Sequence, residues 1–143
     1  MVYRYYVEGV CEKKLIDEFK TINKMQKFLS GKVYVFNVLC QEFTLNQLRD
    51  ITEKTVVIFI YDTDEIDKDK KDRLKRNIEI VSSIKRVDKI IHVQSVNNFE
   101  DEILYCSNVK TIDEIFKTQG STAFKKSFIA CSNIQSKFKS INF

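Results

Sequence analysis

Carboxylates recur in this sequence just after runs of β-branched and aromatic residues. Glu8 follows Tyr5-Tyr6-Val7, precedes Gly9, and is trailed four residues later by Glu12. Asp62 and Asp64 close the apolar run 55–61 in the order Tyr61-Asp62-Thr63-Asp64. Glu100 and Asp101 follow a further run, 89–94, in Asn97-Asn98-Phe99-Glu100-Asp101. Crowding such acids together is costly unless something positive neutralises them. A hard divalent cation with oxygen ligands, Mg²⁺ or Mn²⁺, is the natural partner. Each acid also has an ordinary explanation. Glu12 suits the N-terminus of a helix. Glu100 and Asp101 suit the first turn of another helix, with Asn97 or Asn98 as its cap. Asp62 and Asp64 suit a turn. Their shared position at strand ends favours a common site.

The elements that would gather them can be read from hydrophobic periodicity. Four segments, 2–7, 32–37, 55–61 and 89–94, are rich in β-branched and aromatic residues and read as strands. The third is apolar on both faces, as in a central parallel strand covered on both sides. Between them, Leu15, Phe19, Ile22, Met25 and Leu29 recur at helical spacing and predict one helix over 11–29. A short helix is expected over 44–53 with Thr44 as N-cap, and a longer one over 67–86 on the stripe Leu74, Ile78, Val81 and Ile84. Helices over 99–106, 112–118 and about 122–138 complete the chain. Glu65, Asp67, Asp69 and Asp72 lie among lysines and read as a solvated helix face. The alternation predicts an α/β fold, a Rossmann-like three-layer sandwich around a four-stranded, mostly parallel sheet. Ligands of such sheets bind outside the carboxyl ends of the strands, where the acids lie. Gly9, Gly31 and Gly120 each fall at an element boundary, where a positive φ or a tight turn is useful.

The bulk properties exclude several alternatives. The chain has 143 residues, enough for a single domain spanning 1–143. With 43% hydrophobic and 31% charged residues its composition is that of an ordinary soluble protein, and no apolar run is long enough to cross a membrane. The first residues lack the layout of a signal peptide, so the expected location is the cytosol. The four cysteines form no CxxC pair and are expected to be reduced, buried thiols. The single histidine, His92, rules out a His-rich zinc site and reads as a strand residue. The net charge of +4 lies wholly in residues 110–143, where six lysines face only Asp113 and Glu114. A basic surface of this kind suits a polyanion, though it also fits a lysine-rich solvated helix.

In order and spacing the chain resembles the Toprim domain shared by topoisomerases, bacterial primases and the OLD and RloB-like nucleases. The resemblance rests on Glu8-Gly9 after the first strand and Asp62-Thr63-Asp64 after the third. Glu12, four residues after the first glutamate, and Phe99-Glu100-Asp101 opening a late helix are similar to the OLD and RloB-like branch. Asp67 stands where topoisomerase-type members place a glycine, which argues against that role. The proline that commonly precedes the late Phe-Glu segment is absent.

The resemblance implies a Toprim-like nuclease that cleaves phosphodiesters of DNA or RNA with Mg²⁺ or Mn²⁺. It implies one or two ions held by Glu8, Asp62 and Asp64, with Glu12 and Glu100 completing the site. Glu8 acts either as a ligand or as general acid or base. A late lysine, Lys126 or Lys125, offsets charge on the phosphate. The basic final quarter would hold the nucleic-acid backbone. With no ATPase domain in the chain, the protein is expected to act alone, as a homo-oligomer, or with a partner ATPase. By analogy such proteins serve in phage defence or DNA repair. The alternative is a metal-binding module that binds nucleic acid or a partner ATPase and cuts little by itself. A phosphoacceptor receiver domain fits less well, because it wants an acidic pair after the first strand.

Overall fold

A computed structural model describes residues 1–22 and 30–143. The strands β1 (Val2–Val7), β2 (Lys32–Val35), β3 (Thr55–Asp62) and β4 (Val87–Ser95) form one sheet in the order β2-β1-β3-β4. Every neighbouring pair is parallel. The chain therefore leaves β1 towards one edge and returns to build β3 on β1's other side. This reversal makes the crevice between the carboxyl ends of β1 and β3 the topological switch point.

Strand alternation sorts the core into layers. Tyr6, Val57, Phe59 and Tyr61 point to one face, where they meet Phe36, Val38, Phe43, Leu48 and Val81. Val81 belongs to α2 (Lys68–Ser82), whose N-cap Asp67 accepts from the Lys70 N–H at 2.9 Å. Tyr5, Val7, Val56 and Ile58 point the other way, against Ile16 of α1 (Val10–Lys20). On α1's outer side a second cluster joins Cys11 to α3 (Phe99–Tyr105), α4 (Asp113–Phe116), α5 (Ser121–Ala130) and α6 (Ile134–Ser140) through Phe99, Ile103, Ile115, Phe124, Phe128, Ile134 and Phe138. The result is an α/β three-layer fold with an extra helical cap.

Several boundaries differ from those expected of the sequence. α1 stops at Lys20, where the Thr21 hydroxyl turns back to the Glu18 carbonyl at 2.6 Å; the remainder of the expected helix, with Met25 and Leu29, falls on 23–29, outside the described residues. β2 ends two residues early because the Asn37 side chain accepts from the Leu39 N–H at 2.9 Å and bends the chain. The helix expected over 44–53 is one 3₁₀ turn, Leu45–Leu48, with Thr44 as N-cap. It ends before Asp50, whose carboxylate is drawn to the buried Arg4 of β1 at 2.6 Å. The helix expected over 122–138 is two, because Cys131 is extended and Asn133 caps a new start by accepting from the Ser136 N–H at 3.0 Å.

The cysteines are free, but only Cys11 is buried; Cys40 and Cys106 are exposed, contrary to the core role expected of all four. His92 is an edge-strand residue with its Nδ1 3.3 Å from the Tyr61 hydroxyl. Among the described residues no helix is long and apolar enough to cross a membrane.

Candidate acidic site at the switch point

Glu8 is the first residue beyond β1, and its Oε2 accepts from the Asp62 N–H at 3.0 Å. This bond ties the ends of the two central strands together and fixes Glu8 at the crevice. Asp62 is the last residue of β3 and shares the α1-facing side with Ile58 and Ile60. Its Oδ1 is buried and has no hydrogen-bond partner. Burial, reinforced by the neighbouring Glu8 carboxylate, pushes its pKa up to about 7. An orphaned carboxylate oxygen in such surroundings is costly, and a cation would remove that cost.

Asp64 reaches the crevice by a turn. β3 stops at Asp62, and the N–H groups of Thr63 and Asp64 both donate to the Asn97 carbonyl at 3.0 Å. Glu65 follows with φ of 51° and lines the crevice. It therefore does not belong to the solvated face of α2, as its sequence neighbours suggested. Asn98, with its side chain accepting from the Asp101 N–H at 3.0 Å, is the cap of α3, and Asn97 instead donates to the Asp101 carboxylate at 3.1 Å.

The acids of α3 are placed by that cap. Glu100 is 8% exposed, and it is satisfied: the Ser121 hydroxyl donates to its Oε1, and the Lys125 Nζ lies 3.1 Å from the same oxygen. Burial weakens the charge of Lys125, but the bond to Glu100 holds its pKa above the usual lysine value. Ser121 and Lys125 are one turn apart on α5, so both face Glu100. Lys126 is exposed and lines neither this cleft nor its neighbour. The structure thus puts Lys125 in the position for which Lys126 was the first expectation.

Glu12 enters from the first turn of α1. Burial raises its pKa, and the nearby Glu8 pushes in the same direction. Gly9, between them, has an extended φ of −144° and is not needed for backbone freedom. What glycine leaves here is room for the Glu12 carboxylate in its present position: a Cβ would lie 2.8 Å from the Glu12 Oε2 and push that side chain aside.

These groups line one cleft of about 470 Å³, which includes Glu8, Asp62, Asp64, Glu100 and Lys125. A smaller cleft of about 200 Å³ shares Glu8, Asp62 and Lys125 with it and adds Glu12. The site residues expected from the sequence are therefore brought to one rim of the sheet, Lys126 excepted. Ser121 and Lys70 also belong to the cleft and were not anticipated. The Gly120-Ser121 pair at a helix start, one turn before Lys125, is the signal that marks Ser121.

The donor chemistry fits a hard cation, being all carboxylate with one buried oxygen lacking a partner. Among the described residues, however, no three His, Cys, Asp or Glu side chains are gathered closely enough to cage an ion with their present side-chain positions. No family model, curated protein or solved structure matches the chain, so its functional reading rests on the geometry of this cleft.

Proposed function

We propose that the chain is a Mg²⁺- or Mn²⁺-dependent phosphodiesterase of the Toprim type, acting on DNA or RNA. The observation that carries this reading is that Glu8, Asp62 and Asp64 line one cleft at the switch point, with Asp62 Oδ1 buried and unpartnered. Glu8, Asp62 and Asp64 would hold the ion, with Glu12 in reserve on the α1 side. A bound divalent cation supplies Lewis-acid stabilisation of a phosphoryl oxygen and a more acidic attacking water.

The chain's own groups do the rest. The Asp62 N–H orients the Glu8 carboxylate and leaves its second oxygen free to hold or take a proton. Lys125 lines the cleft with its ammonium at Glu100, and would offset charge on a phosphate bound there. Glu100 and Ser121 position that ammonium. Acids outnumber bases around Asp62, so a phosphate enters only when a cation offsets their charge. Of the six lysines in residues 110–143, Lys110, Lys117, Lys126 and Lys139 are exposed and would follow a polyanionic backbone, while Lys125 is held at Glu100.

One observation favours a second reading. Glu100 is already paired, and the other acids stop short of a ready cage. A module that completes its site only on nucleic acid or a partner ATPase would show the same arrangement. Incubation with plasmid, single-stranded DNA and RNA, in Mg²⁺, Mn²⁺ or EDTA, tests the main proposal. Metal-dependent cutting lost in Glu8→Ala and Asp62→Ala is expected. Cutting that survives in both variants would overturn it.

A further inference from the structure

Lys70 and Lys125 both line the acidic cleft, and the chemistry proposed above uses only Lys125. Lys125 belongs to α5, part of the helical cap on the α1 side of the sheet. Lys70 belongs to the first turn of α2, which packs on the opposite face through Leu74, Ile78 and Val81. The rim that carries Glu8, Asp62 and Asp64 therefore receives an ammonium group from each of two opposite layers of the fold.

The two ammonium groups differ in what holds them. Lys125 is paired with Glu100. Lys70 is half-buried and donates to the Glu65 carbonyl at 2.8 Å, and among the described residues it has no carboxylate partner. An ammonium carries three donors, so this bond leaves others for a ligand. The Glu65 backbone that it holds has φ of 51°, a conformation seldom adopted by a residue other than glycine. The bond keeps the Lys70 side chain at the cleft, where an untethered lysine would sample many rotamers.

We propose that Lys70 binds a phosphate adjoining the scissile one, so that the nucleic-acid backbone crosses the rim of the sheet from α5 to α2. The inference rests on the phosphodiesterase reading above. Charge and size identify the ligand. The cleft of about 470 Å³ falls within the ~300–1,000 Å³ range of sites that hold whole small molecules, which leaves room for more than one phosphate group. Lys70 brings a positive charge that no carboxylate cancels, and it attracts an anion once metal offsets the acids. A neighbouring phosphate is the anion that any polynucleotide carries to this position along with its scissile bond. Lys70 would make the same contact before and during cleavage, so it contributes to binding and not to the chemical step. A contact to phosphate positions the strand without reading its sequence.

The test uses the full chain with a fluorescent single-stranded DNA, the corresponding duplex and the RNA counterpart. Binding is followed by anisotropy against salt concentration with Ca²⁺ in place of Mg²⁺, and cutting is followed separately in Mn²⁺. Lys70→Gln keeps an N–H donor for the Glu65 carbonyl but no charge, whereas Lys70→Arg keeps both. In Lys70→Gln the slope of log affinity against log salt is expected to shrink by about 0.7 on a single strand or about 0.9 on duplex DNA. Its KM is expected to rise roughly fivefold with kcat within about twofold of wild type. Lys70→Arg should stay near wild type in both. So should Lys75→Ala, which removes an exposed lysine further along α2 and outside the cleft. An unchanged slope in Lys70→Gln, an equal drop in Lys75→Ala, or a loss confined to kcat overturns the phosphate contact. If wild type cuts in Mn²⁺ and Lys70→Gln matches it throughout, the phosphodiesterase reading stands and only this contact falls. If nothing is cut but Lys70→Gln still loses its share of the slope, the contact stands and the phosphodiesterase reading falls. If wild type binds none of the three probes, both fall.

Discussion

The ammonium of Lys125 lies 3.1 Å from Oε1 of Glu100, a carboxylate buried at the start of another helix, while the next residue along, Lys126, points away from the cleft. The two lysines therefore predict opposite results. Lys125→Ala leaves Glu100 with one fewer partner and is expected to cost about 1–2 kcal/mol in urea unfolding and at least tenfold in cutting rate. Lys126→Ala, on the solvated side of α5, should change stability by no more than about 0.5 kcal/mol. Equal loss of activity in both variants would mean that Lys125 acts only as part of a diffuse positive charge.

Gly9 offers a way to disturb Glu12 without touching its carboxylate. Its backbone is extended and any residue tolerates that conformation, but an added Cβ would meet the Glu12 Oε2 at 2.8 Å. The flexible glutamate can swing aside, so Gly9→Ala should leave the fold within about 0.5 kcal/mol of wild type. Metal affinity, measured by Mn²⁺ titration, should fall to the level of Glu12→Gln. An undiminished affinity in Gly9→Ala, beside a weakened Glu12→Gln, would show that Glu12 works from a different position.

Asp62 makes the metal-free protein sensitive to pH in a definite direction. In the unfolded chain an aspartate loses its proton near 3.9; in the fold, burial and Glu8 delay this to about 7. Between those values the folded state holds more protons, so this group's contribution to stability falls as pH rises and stays low above 7. Asp62→Asn removes that dependence and should stabilise the protein in EDTA at pH 8 by on the order of 1–2 kcal/mol, allowing for screening by water. Denaturant melts of both proteins at pH 5 and pH 8 would show it. A variant no more stable than wild type at pH 8 would argue that Asp62 ionises without penalty.

Asn77 supplies a control away from the site. Fully buried on α2, it donates to the carbonyls of Val38 and Gln41 at 2.8 Å and accepts from the Phe43 N–H at 2.9 Å, fastening the loop after β2. Asn77→Leu strands two buried backbone groups and a half-buried third and is expected to cost about 3 kcal/mol. Thermal melting should fall well below wild type, with Mn²⁺ affinity retained at low temperature.

Much of this arrangement was legible in the sequence because it depends on local pattern. β1 was readable from its run of β-branched and aromatic residues, and so was the carboxylate that follows it. The alternation of strands and helices then implied a parallel sheet with both carboxylates at its carboxyl rim, but not the order β2-β1-β3-β4 that sets Glu8 beside Asp62. What was not legible depends on contacts between distant parts of the chain. Asp64 was expected just beyond the third strand, but what turns the backbone there, the Asn97 carbonyl from beyond β4 accepting from the Thr63 and Asp64 N–H groups, is a contact no local pattern reveals. The choice between Lys125 and Lys126 turns on how Phe124 and Phe128 seat α5 in the core, which spacing alone leaves open. Arg4 is an ordinary charged strand residue until Asp50, from the loop before β3, pairs with it and cuts the expected helix short.

The most direct measurement is an anomalous difference map from crystals soaked in Mn²⁺. A peak in the cleft about 2.0–2.2 Å from Asp62 Oδ1, with Glu8 or Asp64 among the other ligands, is the predicted result. An empty cleft at saturating Mn²⁺, with Asp62 Oδ1 still lacking a partner, would contradict it.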